Sequence, residues 1–185
     1  MISDVLSDAT TKMGKAVDAA KTDFSTVRTG RANPALFSSL LVEYYGTPTP
    51  LQQLASFQTP EARTILIIPF DKSAISEIEK TLRDSDLGVN PSNDGNQIRC
   101  ILPALTEERR KDYIKMAKDK AENGRVSVRN VRRKANQDID KLVKDKEVGE
   151  DDGARAEKDL DAMTKKRVDT VDALLKGKEA ELLEV

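Results

Sequence analysis

Arg125, Arg129, Arg132 and Asn136 stand at i, i+4, i+7 and i+11. At about 100° per residue this spacing gathers them into an arc of roughly 60° on one helix. A guanidinium is a rigid, planar fork of donors that meets phosphate oxygens two at a time, so such a row is suited to gripping a nucleic-acid backbone. Arg133 lies just outside the arc, with Lys134 beside it. Between Arg109 and Lys134 there are 11 basic residues against 3 acidic ones. The net charge of −1 hides this concentration: residues 106–146 carry +6, flanked by −2 before and −5 after. Such asymmetry predicts a localised basic surface.

A competing reading is that these arginines form ion pairs with acidic residues of neighbouring helices, since charge runs on helices are more often solvated faces. Two features argue against it. The positions four residues before the arginines are Ala121, Arg125 and Val128, not glutamates, and the cluster favours Arg over Lys. Single-strand readers stack bases on aromatic platforms. With 3 Tyr, 4 Phe and no Trp, and no aromatic among residues 114–185, that mode has no support here. Recognition should be of backbone and shape in a folded RNA.

Other chemistry is scarce. The chain has no histidine, which removes triads, imidazole bases and histidine metal sites. The one cysteine, Cys100, falls in an expected strand and reads as a small core residue of a protein in a reducing compartment. Glu107-Glu108 and Glu150-Asp151-Asp152 suit helix starts, where the positive end favours acids. No glycine-rich phosphate loop occurs. No catalytic residue, metal site or cofactor is expected, and the chain reads as a non-enzyme. The longest apolar run, Ile65–Ile68, is too short to span a membrane. The opening Met1-Ile2-Ser3-Asp4 shows no export signal, so a cytoplasmic location is expected.

The elements that carry the arginines are helices. Apolar or small residues recur every three or four positions at Ile2, Leu6, Ala9, Met13, Ala16, Ala20, Phe24 and Val27. Gly30 is suited to a left-handed cap and Pro34 prevents continuation. From Thr106, a capping residue, a second seam runs through Ile114, Ala117, Ala121, Gly124, Val128, Val131, Ala135, Ile139 and Leu142. A third follows the break at Val148-Gly149, through Ala156, Leu160, Met163, Val171, Leu174 and Leu182. Each helix has only a stripe to bury, so the three should pack as a bundle. A helix of about 40 residues is about 60 Å long, which makes the bundle a rod.

Between the first two helices, residues 31–104 predict an inserted α/β module. Leu40–Tyr45 reads as a strand closed by Gly46 and Thr47-Pro48-Thr49-Pro50, Leu51–Phe57 as a second strand, and Thr64–Pro69 as a third. Ser73 is placed to cap a helix through Ile75, Ile78 and Leu82 that ends before Gly88. Asp94-Gly95 predicts a tight hairpin into a last strand, Gln97–Leu102.

Taken end to end, the chain resembles a ribosome recycling factor. The resemblance rests on Arg28-Thr29-Gly30-Arg31-Ala32-Asn33-Pro34, Val42-Glu43-Tyr44-Tyr45-Gly46-Thr47 and Ser85-Asp86-Leu87-Gly88-Val89-Asn90-Pro91. Leu105–Lys111, Val128-Arg129-Asn130-Val131-Arg132-Arg133 and Lys178–Val185 add to it, in that order over the whole length. It implies an α+β fold, L-shaped overall, with an elongated three-helix bundle of residues 1–29 and 106–185 and a small inserted β/α/β sandwich of residues 31–104. Linkers 29–34 and 102–105 would form the hinge, with Gly30, Ala32, Pro103, Ala104 and Leu105 absorbing the motion.

The implied function is recycling after translation termination. The bundle binds the ribosome along large-subunit rRNA, and elongation factor G with its GTP hydrolysis then splits the subunits. Arg31, Arg129, Arg132 and Arg133 match the family's rRNA-facing arginines; Arg28 and, from the row itself, Arg125 join them. No DNA, membrane or second copy enters, and a monomer is expected. The chain departs from the family where a second proline is common, at Ala104, and where Ser commonly opens the third helix, at Gly149. The runner-up function is a coiled-coil adaptor or chaperone that uses the same helices to bind protein clients with little salt dependence.

Overall fold

A computed structural model describes residues 1–184. The chain divides into two compact units, one of Met1–Phe24 with Lys115–Glu179, the other of Ser25–Ile114 with the residues from Ala180 onward.

Three helices build the first unit: α1 (Ile2–Ser25), most of α4 (Glu107–Lys144) and most of α5 (Glu150–Leu183). The numbers α2 and α3 belong to helices of the second unit. The core side chains are those of the expected seams, with Met13, Ile139 and Leu160 among the large fully buried ones. Each such burial is worth about 1.5–3 kcal/mol against exposure. Val17 and Thr164 are buried as well, although neither belonged to the expected seams. Thr164 stays satisfied because its hydroxyl donates to the Leu160 carbonyl at 2.7 Å. Small residues let the helices approach closely: a Cβ on Gly124 would lie 3.1 Å from that of Ala20, and one on Gly153 would lie 2.6 Å from a Val143 methyl. Thr106 caps α4, its hydroxyl accepting from the Arg109 amide at 3.2 Å.

Among the described residues the second unit holds six strands rather than three or four. β1 (Leu41–Tyr44) and β2 (Thr47–Pro50) pair as an antiparallel ribbon. The Thr-Pro-Thr-Pro stretch, expected as a closing turn, is thus itself a strand. A two-stranded ribbon is all edge, where a proline's missing donor costs nothing. Tyr45 (φ 48°) and Gly46 (φ 78°) make the left-handed turn between them.

A four-stranded antiparallel sheet follows in the order β3-β4-β6-β5, built from β3 (Ala55–Glu61), β4 (Thr64–Pro69), β5 (Asn90–Asn93) and β6 (Ile98–Ile101). Leu51–Gln53, expected to begin a strand, is a 3-10 turn instead. Helix α3 (Ile75–Arg83) packs on β1 and β5, and a short helix α2 (Ala35–Ser38), absent from the expectations, places Phe37 in the core. Asp71, not Ser73, does the capping: its carboxylate accepts from the Ser73 amide and hydroxyl, and a 3-10 turn leads into α3. Asp94 organises the β5–β6 hairpin by accepting from the amides of Asn96 and Gln97, with Gly95 at φ 91°. Cys100 is fully buried, and burial pushes its thiol up to about 11.

Candidate nucleic-acid interface

The regular spacing of the arginines on α4 brings the row together as the periodicity requires, but their partners differ from expectation. Arg125 is the least exposed, with 20% of its side chain accessible. Its Nε donates to Asp172 on α5 at 2.7 Å and its Nη1 to Glu122 at 3.0 Å. The bond to Asp172 and, more weakly, that to Glu122 hold its pKa above the ordinary arginine value against the opposing effect of burial. Arg129 also donates to Glu122, at 3.3 Å. Arg132 reaches Asp161 on α5 at 2.7 Å, while its Nε makes no hydrogen bond among the described residues.

The expectation that these arginines lack carboxylate partners is therefore corrected. Glu122 sits at i−3 and i−7 rather than i−4, and α5 supplies Asp161 and Asp172 across the helix interface. Arg125 is held as a strut between helices. Arg129 and Arg132 remain about half-exposed, at 50% and 42%. Arg133 is exposed and carries no ion pair among the described residues. Lys134 pairs with Asp138 at 2.9 Å. Asn136 is half-buried with Oδ1 unbonded among the described residues, so its amide is not offered to solvent in the way the arc suggested.

In the second unit, Arg31 is exposed and pairs with Glu184 at 2.6 Å. Arg28 is not at the surface: it is 9% exposed, and its Nε and Nη2 have no hydrogen-bond partner among the described residues. Gly30 does not take the left-handed cap expected of it, because its φ is not positive. The Ala32 amide donates to the Ala62 carbonyl at 2.6 Å and the Leu102 amide to the Arg63 carbonyl at 2.8 Å, tying both connecting segments to the β3–β4 turn. Pro103 and Ala104 are exposed and Leu105 is half-buried. Gly30, Arg31, Arg63, Ala104, Leu105 and Arg110 are among the residues lining a cavity of about 440 Å³.

The residues that sequence reasoning missed are the carboxylates. Glu122 was legible as an i−3 neighbour of Arg125; Asp161 and Asp172 were not, since which carboxylate meets which arginine depends on how α5 is set against α4. Among the described residues no group of His, Cys, Asp or Glu could hold a metal ion, and no helix is long and apolar enough to cross a membrane.

Three long helices carrying a basic row, with an antiparallel β unit inserted in the chain between the first and the second of them, define the class by its fold: an α+β protein of helical bundle and inserted sheet. The family model for ribosome recycling factor matches residues 20–183. The chain is 78% identical to the ribosome-recycling factor of Kocuria rhizophila over 183 residues, covering 99% of each. It is 66% identical to that of Cutibacterium acnes and 63% to that of Streptomyces avermitilis, over the full length of all three chains. Among solved structures, it matches a solution structure of the ribosome recycling factor with a TM-score of 0.77 at 38% identity, covering 100% of this chain and 98% of that one. It matches the Thermus thermophilus factor, described with E. coli elongation factor G on the E. coli post-termination complex, with a TM-score of 0.72 at 40% identity over all of both chains. The chain belongs to the ribosome recycling factor family.

Proposed function

We propose that this chain recycles ribosomes after termination. It binds the post-termination ribosome through large-subunit rRNA and, with elongation factor G, promotes dissociation of the subunits. The observation that carries this reading is the agreement over the whole length with recycling factors, one of them described with elongation factor G on a post-termination complex.

The exposed guanidiniums of Arg129, Arg132, Arg133 and Arg31 are the rRNA contacts in this scheme. Three of the four are already ion-paired, which does not disqualify them. Surface pairs contribute about 0–1 kcal/mol net, so a phosphate that accepts two hydrogen bonds at once can displace Glu122, Asp161 or Glu184. Arg125 instead braces the helices, and Arg28, buried, is not among the contacts. The segments 29–34 and 102–105 serve as the hinge between the domains 1–29 with 106–185 and 31–104, with Gly30, Ala32, Pro103, Ala104 and Leu105 taking up the motion.

The chain supplies no catalysis; GTP hydrolysis belongs to elongation factor G. It acts in the cytoplasm as a monomer, without DNA, membrane or cofactor. The adaptor reading has no observation in its favour. The test is breakdown of polysomes by purified elongation factor G and GTP, with and without this chain. Breakdown should require the chain, and equal breakdown in its absence would refute the proposal.

A further inference from the structure

Two polar atoms on α4 are buried without a hydrogen-bond partner among the described residues, and they stand one turn apart. One is a donor, the Nε of Arg132; the other is an acceptor, the Oδ1 of Asn136. Residues at i and i+4 share a helix face, about 40° apart around the axis, with their side chains adjacent. Buried polar atoms are nearly always bonded, so a donor and an acceptor left single side by side call for a reason.

The guanidinium of Arg132 has two edges that can grip a pair of oxygens, one formed by Nε with Nη2 and one by Nη1 with Nη2. Asp161, on α5, takes Nη2 at 2.7 Å and leaves Nε unbonded on the same edge. Nε is out of reach of solvent, whereas the side chain as a whole is 42% exposed. An incoming phosphate therefore meets Nη1 and Nη2, and the inward nitrogen is left for the protein to satisfy.

We infer that Asn136 is a positioning residue for the RNA contact of Arg132. When a phosphate draws the guanidinium off Asp161, Nε donates to the Asn136 Oδ1, and that bond takes over the anchoring. The inference rests on the proposed function, in which Arg132 is an rRNA contact, and adds a residue to that contact. The exchange suits an anionic ligand. Asp161 holds the arginine with a full negative charge, which repels an approaching phosphate. The amide oxygen of Asn136 holds it with a dipole and leaves the positive charge to the ligand. Two groups unsatisfied in the free chain are satisfied in the bound one, and this difference favours the bound arrangement.

The test uses the full chain with Asn136→Leu, close to asparagine in size but without the acceptor, and Asn136→Ala, which removes the acceptor without added bulk. Each is made alone and together with Arg132→Lys, since lysine keeps the charge but has carbon where arginine has Nε. Pelleting with ribosomes over a concentration series gives affinity, and a denaturant curve of the free chain gives stability. Both single variants should bind ribosomes about tenfold more weakly. Asn136→Leu should nevertheless unfold at the same denaturant concentration as the unsubstituted chain or a higher one, because a buried unbonded oxygen is gone. In the Arg132→Lys background either change should cost less than about twofold, as expected of two residues that act through one bond. Unchanged binding by the folded variants would overturn the inference. So would an equal loss in the lysine background, which would mean that Asn136 meets the RNA by itself or serves the fold alone. Failure of the unsubstituted chain to pellet with ribosomes would instead overturn the proposed function.

Discussion

Arg132 is the residue on which the proposed interface turns, because it is both exposed and already held. Its guanidinium spans the α4–α5 interface to Asp161 at 2.7 Å, with side-chain exposures of 42% and 57%. Hydrogen bonds to charged groups are worth about 1.5–3 kcal/mol. Arg132→Ala should therefore weaken ribosome binding by about tenfold or more in a pelleting assay while leaving the fold intact. Asp161→Asn gives the complementary measurement. If Asp161 competes with phosphate, the variant should bind ribosomes as tightly as the unsubstituted chain or more tightly; weakened binding would mean that the carboxylate orients the arginine instead. Cys100 makes a separate residue-scale prediction. Burial raises its pKa from 9.0 to about 11, so the folded state favours the thiol. Stability of the second unit should be complete below about pH 9 and decline as pH rises toward 11. A thiol reagent at pH 8 should label Cys100 only after unfolding.

Among the elements, the helices were the most legible in the sequence and the ribbon the least. A three-or-four repeat sustained over 24 residues in α1 and 38 in α4 leaves little room for another structure. The core residues Ala117, Ala121, Gly124, Val128, Ala135 and Ile139 lay on the expected seam. β2 was hidden because Thr-Pro-Thr-Pro has the composition of a turn and becomes a strand only through its pairing with β1. The arginine row was legible as a row, whereas its carboxylate partners were not, since Asp172 lies 47 residues from Arg125 along the chain. Close packing at α5 supplies a test at this scale. An alanine methyl at Gly153 would meet Val143 at 2.6 Å, too near for either to stay in place. Alanine favours a helix over glycine by roughly 0.5–1 kcal/mol, but overpacking costs about 1–3 kcal/mol. Gly153→Ala should lower stability in a chemical denaturation curve, and a rise would show that the helix ends can yield.

For the whole molecule, the salt dependence of ribosome binding should reveal how the basic row works. Four bare phosphate contacts on duplex DNA would weaken binding about 10²-fold between 50 and 200 mM salt. In the proposed scheme Asp161 and Glu184 are set free when phosphate takes their arginines, and once free they attract cations of their own, while Glu122 keeps its bond to Arg125. The net release of ions is smaller, so the dependence should be shallower than four bare contacts give. Removing Asp161 should steepen it. A dependence as steep as that of an unpaired patch would show that the ion pairs are absent in solution.

The three tyrosines of the chain, Tyr44, Tyr45 and Tyr113, all fall within the second unit, and there is no tryptophan. Tyr44 and Tyr45 stand edge to face with ring centroids 4.6 Å apart. Near-ultraviolet dichroism and intrinsic fluorescence therefore watch the β-rich unit, while the far-ultraviolet signal is dominated by the long helices. A single unlabelled sample carries two optical channels, and a lag between their melting curves would reveal one unit coming apart before the other.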